Sequence, residues 1–183
     1  MRRGELAGSS WKDLDLERGR LQVTSQRTTD SDGKIITKEP KAGSRRAVAL
    51  AEHTVAALRR HHVIQPRDRL AAGAAWADSG LVFVDERGLG PHPQRLTDLF
   101  QQAADAAGLA RIRLHDLRHT SATLGLVAGV HPRIVQERLG HETISIALDT
   151  YSHVLVGMQH DAATQVEALI VPGPGRLLRG GRQ

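Results

Sequence analysis

Leu114-His115-Asp116-Leu117-Arg118-His119, then Leu139-Gly140-His141, then Thr150-Tyr151-Ser152-His153: this ordered set decides how the chain is read. Tyr151 is the sole tyrosine among 183 residues. His115 and Arg118 are three positions apart, so on a helix they share a face and bring an imidazole and a guanidinium to one point. The planar guanidinium fork suits bidentate phosphate binding, and a phenol is a competent nucleophile toward phosphorus. The set therefore marks a phosphate site, with Tyr151 as the candidate nucleophile.

Working outward, His115 to Ala128 forms a helix that Ala128-Gly129-Val130 ends. Pro132 suits the first turn of the next helix, Ile134, Val135 and Leu139 supply its apolar face, and Gly140 closes it, leaving His141 just past a helix end. Thr143 to Leu148 is apolar on one side, which places Tyr151 on a small, separately packed helix. A last amphipathic helix carries Met158, Ala162, Val166 and Leu169. Residues 172–183, beginning Pro172-Gly173-Pro174-Gly175, form a basic tail expected to be disordered, which leaves 1–171 as one domain.

Upstream, Met1 to Gly8 reads as the end of a helix, because no capping segment precedes it. Arg20 to Thr24, Lys34 to Lys38 and Arg45 to Leu50 are strand candidates, with Asp30-Ser31-Asp32-Gly33 as a turn, and together they suggest one small antiparallel sheet. A helix starting at Glu52 is expected to be interrupted at Pro66. Leu81 to Val84 is a strand or extended segment, and a longer helix from about Pro93 to Ala107 ends before Gly108. The fold class is α+β, mainly helical with a small antiparallel sheet.

Composition narrows the chemistry. The formal charge is +5, from 25 Lys and Arg against 20 Asp and Glu, which suits a polyanionic partner. With no cysteine, thiolate catalysis, disulfides and cysteine-ligated zinc are excluded. No apolar run reaches the roughly 18 residues of a membrane span, and no signal-peptide pattern opens the chain. The expected setting is cytoplasmic, with no membrane partner. The histidines lack a His-Glu-x-x-His arrangement, and Arg118 among them would repel a cation, so no metal and no cofactor is expected.

The run from Leu114 to Val154 resembles the catalytic signature of the tyrosine recombinases, or phage integrases: His-x-x-Arg, Leu-Gly-His, then a tyrosine about ten residues on. The resemblance implies the DNA breaking-rejoining fold of that catalytic domain, and site-specific recombination through a covalent 3′-phosphotyrosine. Met1-Arg2-Arg3-Gly4-Glu5-Leu6 is similar to the family's first-arginine segment, with Arg2 as the catalytic arginine and Glu5 on the same face to hold it. Glu39-Pro40-Lys41-Ala42-Gly43-Ser44-Arg45-Arg46 resembles the lysine-bearing hairpin, with Lys41 in the catalytic position and Lys38 as its competitor. The implied catalytic set is Tyr151, Arg118, His115, His141, Arg2 and Lys41.

Double-stranded DNA is the implied partner, with a homotetramer formed on it. The resemblance starts inside a motif, so the domain is expected to be incomplete at its N-terminus, and the isolated chain to bind duplex DNA weakly without recombining paired sites. The alternative is a non-catalytic helix-turn-helix DNA-binding protein, since Ser121 to Gly140 has that pattern. It leaves Arg118, His141 and Tyr151 without a role.

Overall fold

The computed structural model describes residues 1–40, 44–140, 164, 166 and 167. Its helices are α1 (Arg3–Ala7), α2 (Glu52–Ala72), α3 (Pro93–Ala106), α4 (Asp116–Val127) and α5 (Pro132–Leu139), and its strands are β1 (Leu14–Asp15), β2 (Arg20–Val23), β3 (Gln26–Thr29), β4 (Ile35–Lys38) and β5 (Arg46–Ala49). The α+β expectation holds.

One expected sheet is in fact two. β2 pairs antiparallel with β1 on one side and β5 on the other, while β3 and β4 form a separate hairpin. In β2, Leu21 and Val23 point inward while Arg20 and Gln22 face solvent, and Leu21 sits opposite Val48 of β5. β3 was not anticipated, because Gln26-Arg27-Thr28-Thr29 has no apolar alternation. The turn expected at Asp30 to Gly33 closes the hairpin: one Asp30 carboxylate oxygen accepts from the Asp32 and Lys34 amides.

Two helical expectations are corrected. Residues 1–8 are not the tail of a helix. Arg2 is extended (φ −81°, ψ 154°), α1 starts at Arg3, and the Glu5 carboxylate caps it by accepting the Arg2 amide at 2.8 Å. Nor does Pro66 interrupt α2, which runs through it. The proline removes one amide donor on an exposed stretch, where the released carbonyl is open to solvent rather than buried.

α1 is held close to the hairpin because Gly4 and Gly8 lack side chains. A Cβ on Gly4 would lie 2.7 Å from the Arg27 carbonyl oxygen, and one on Gly8 would lie 2.9 Å from the Gln26 Cα. The extended segment expected at Leu81 bridges back to Ser10, and buried Val82 donates its amide to the Ser9 carbonyl at 2.9 Å.

α4 and α5 form their own apolar unit of Ala122, Leu126, Val135 and Leu139, with Val130 packed against it. α4 ends in a paired-bond turn: Gly129 donates to Leu126 and Val130 to Gly125, both at 2.9 Å. α5 starts on His131, whose Nδ1 accepts the Arg133 amide at 3.1 Å ahead of Pro132. This unit presents Arg118 and the carboxyl end of α5 to the N-terminal segment.

Candidate active site

α5 ends at Gly140, which is left-handed at φ 66°, ψ 50°. The last carbonyls of a helix have no partner within it and carry its negative end. Here consecutive carbonyls are each taken by a different arginine. Arg138 O accepts from Arg46 Nε at 2.8 Å, Leu139 O from Arg118 Nη2, and Gly140 O from Arg2 Nη2 at 2.9 Å. Residues distant in sequence thus meet at one helix end.

Arg2 is anchored on a second side by Glu5, whose Oε1 accepts from Arg2 Nη1 at 3.0 Å. The hydroxyl of Ser44 accepts from the same nitrogen at 3.3 Å. Glu5 is 1% exposed and Ser44 is buried, while the Arg2 side chain is 37% exposed and so keeps an open face. Burial alone would raise the Glu5 pKa. The hydrogen bonds from Arg46 and from the Arg2 backbone and side chain outweigh it and hold the carboxyl at about 2. Glu5 is therefore a permanent anion between two cations.

Arg118 is buried at 5% exposure, one turn into α4 from His115. The start of that helix is fixed by Asp116, which accepts from the Arg113 amide and guanidinium, each at 2.9 Å. His115 stands edge-on to His119 with ring centroids 5.0 Å apart. Partial burial, then the neighbouring His119 and Arg118, lower the His115 pKa below its ordinary 6.5. Its imidazole is neutral at neutral pH, able to donate from one nitrogen and accept at the other.

Arg2, His115 and Arg118 line one cleft of about 950 Å³, with Arg27, Arg113 and Arg138 also on its walls. Three of the six residues expected from the sequence are thus brought together. Lys41, His141 and Tyr151 lie outside the described residues. Lys38, the competing lysine, ends β4 exposed and is not among the residues lining the cleft. Among the described residues no group of three or more His, Cys, Asp or Glu could hold a metal ion, and no helix is long and apolar enough to cross a membrane.

Arg46 was missed as a site component. It sits in a strand candidate next to another arginine, and only the tertiary structure turns it inward onto Glu5. Ser44 carries no local signal either, because its role comes from lying buried between Arg2 and Arg46.

The sequence matches the phage integrase family over residues 1–157. It is 30% identical over 183 positions to the XerC-like tyrosine recombinase of Caldanaerobacter subterraneus subsp. tengcongensis, covering 93% of this chain and 47% of that protein. It is 32% identical over 135 positions to an integrase of Saccharopolyspora erythraea, covering 73% of this chain and 31% of that one. The chain therefore spans half or less of the length of these relatives. Among solved structures, the Tn1549 transposon integrase in complex with transposon right end DNA superposes with a TM-score of 0.72 at 23% identity, over 93% of this chain and 55% of that one. The XerA recombinase gives a TM-score of 0.66 at 24% identity, over 88% and 53% of the two chains. At that identity the structural likeness speaks to the fold, which is that of tyrosine recombinase catalytic domains. Sequence and fold agree, and the chain belongs to the phage integrase family of tyrosine recombinases.

Proposed function

We propose that this chain supplies the catalytic domain for site-specific DNA recombination, in which strands are cut and rejoined through a covalent 3′-phosphotyrosine. The observation that carries this reading is the convergence of Arg2 and Arg118 on adjacent carbonyls at the end of α5, beside His115 and in one cleft. Two guanidiniums held at fixed spacing suit the two non-bridging oxygens of a phosphodiester, whose charge rises as phosphorus becomes pentavalent.

In this scheme the Tyr151 oxygen attacks phosphorus, its proton passing to a base, and the bond from phosphorus to the 5′-oxygen breaks. Lys41 protonates that leaving oxygen. His115 and His141 hydrogen-bond the phosphate oxygens or relay the proton from Tyr151, work suited to imidazole near neutral pH. A 5′-hydroxyl from a second strand then attacks the phosphotyrosine, reforming a phosphodiester and releasing the phenol. The bond energy stays in the enzyme linkage, so ligation needs no ATP. Double-stranded DNA is the substrate, and a tetramer assembled on it carries out paired exchange.

The relatives support this choice of substrate. The Tn1549 integrase was solved with transposon right end DNA, and the XerH recombinase with its difH substrate. A DNA reader without chemistry accounts for α4, the turn and α5, but gives Arg2 no reason to meet Arg118.

The test is a pool of random-sequence duplexes nicked so that the 5′ fragment diffuses away, incubated at low salt where phosphate contacts are strongest. A denaturant-resistant adduct should form in EDTA, and Tyr151→Phe should abolish it. Arg118→Lys should slow it by about a hundredfold or more, since an ammonium cannot replace the bidentate fork. DNA binding with no adduct at all, or an adduct unchanged in Tyr151→Phe, would refute the mechanism in favour of the helix-turn-helix reader.

A further inference from the structure

We propose that Arg46 is a positioning residue for the phosphate-bracing Arg2, acting through Glu5 and through the carboxyl end of α5. This rests on the recombinase reading above. The Arg46 side chain is 7% exposed and, unlike Arg118, is not among the residues lining the cleft, so it is not placed to meet the phosphate itself. It grips Glu5 with both terminal nitrogens, Nη1 to Oε1 at 3.1 Å and Nη2 to Oε2 at 2.8 Å. Its Nε donates to Arg138 O at 2.8 Å, and Nη1 also donates to Ser44 O at 2.9 Å.

The two groups that Arg46 fixes adjoin those that orient Arg2. Glu5 Oε1 accepts from both Arg46 Nη1 and Arg2 Nη1, so the Arg46 fork sets the plane of the carboxylate to which Arg2 is tied. Gly140 O holds the other arm of Arg2, and it lies two residues beyond the carbonyl that Arg46 holds. Ser44 offers its carbonyl to Arg46 and its hydroxyl to Arg2. Every described polar contact of the Arg2 side chain thus leads, within one residue or two, to Arg46.

Charge adds a second reason. Glu5 beside Arg2 alone would neutralise the cation that must meet the phosphate. With Arg46 on the same carboxylate, two cations share one anion, and the cluster keeps a net positive charge for DNA. Lysine at position 46 preserves that charge but has neither the paired fork nor an Nε to hold Arg138 O. Arg46→Lys therefore separates geometry from charge.

The experiment uses this chain with a nicked duplex recovered as adduct from the random pool. The time constant of adduct formation, which unfolded molecules do not alter, is measured beside DNA affinity for Arg46→Lys alone and in Arg2→Lys and Arg118→Lys backgrounds. Alone, the covalent step should slow about tenfold or more while affinity changes less than about twofold. The loss should vanish in the Arg2→Lys background and persist in full with Arg118→Lys, the signature of two residues acting as one unit. Glu5→Asp, which withdraws the shared carboxylate without changing charge, should repeat this pattern and serves if Arg46→Lys does not fold. An equal loss in both backgrounds, or none in the wild type, overturns the role of Arg46 and leaves the recombinase reading standing. Failure of the wild-type chain to form any adduct removes both.

Discussion

The guanidinium of Arg2 and the carbonyl of Gly140 are 138 residues apart in sequence and 2.9 Å apart in space. That one bond ties the residue that precedes α1 to the residue that closes α5. It joins the two stretches expected to supply separate parts of the catalytic machinery. Because Gly140 O is a helix-terminal carbonyl, the bond also places a cation at the negative end of α5.

Gly140→Ala should strain this junction. The residue is left-handed, and a Cβ there would lie 2.7 Å from Arg46 Nη1 and 3.2 Å from its Cδ. The backbone conformation alone should cost about 1–2 kcal/mol, with a further loss from displacing Arg46. Urea unfolding should show a lower midpoint at unchanged slope, and an unshifted midpoint would count against the geometry.

Stability should fall in acid through Glu5. Its folded pKa, about 2, lies below the ordinary 4.5, so folding favours the ionised form. The stabilisation is complete above about pH 4.5 and is lost as pH falls through 4.5 toward 2. The difference corresponds to on the order of 3 kcal/mol. Glu5→Gln should be less stable at pH 7 and should lack this acid-dependent portion, as read from unfolding free energies between pH 2 and 7.

His115 should titrate below its ordinary 6.5, and burial, His119 and Arg118 are the leading causes in that order. Replacing His119 by Asn removes the second of these and should move the His115 pKa upward, which nitrogen-15 NMR of the imidazole would record. The folded pKa is depressed, so His115 favours folding above 6.5 and opposes it as pH falls through its lowered value. An unchanged titration in the variant would show that the ring contact has no electrostatic effect.

Pro66→Ala should stabilise the chain. It restores an amide donor inside α2, and the site is exposed, so no packing is lost. A gain of roughly 1–3 kcal/mol is expected from the helix-interior cost of proline. A loss in urea unfolding would mean that the proline is serving a purpose in α2 beyond tolerance.

What could be read from the sequence followed the strength of local signals. Gly108, Pro132 and Gly140 punctuate α3 and α5 where expected, because caps and turns are decided by neighbouring residues. β3 was invisible because Gln26 to Thr29 is polar throughout and becomes a strand only by pairing with β4. Arg2, Glu5, His115 and Arg118 were found through motif order. Arg46 and Ser44 were not, since their roles arise from burial between elements far apart in the chain. Pro66 is tolerated inside α2 because that stretch is exposed, which is a tertiary fact that no local signal carries.

The row of arginines at the end of α5 bears on how this segment can vary. Substitutions at exposed Glu137 leave the backbone carbonyls where they are, so composition there is permissive. A single inserted or deleted residue between Pro132 and Gly140 is another matter, because each step turns a helix by about 100°. The carbonyls of Arg138, Leu139 and Gly140 would then swing away from Arg46, Arg118 and Arg2 together. The length of α5 is a ruler for the cleft, and selection should act on insertions and deletions there far more harshly than on surface replacements.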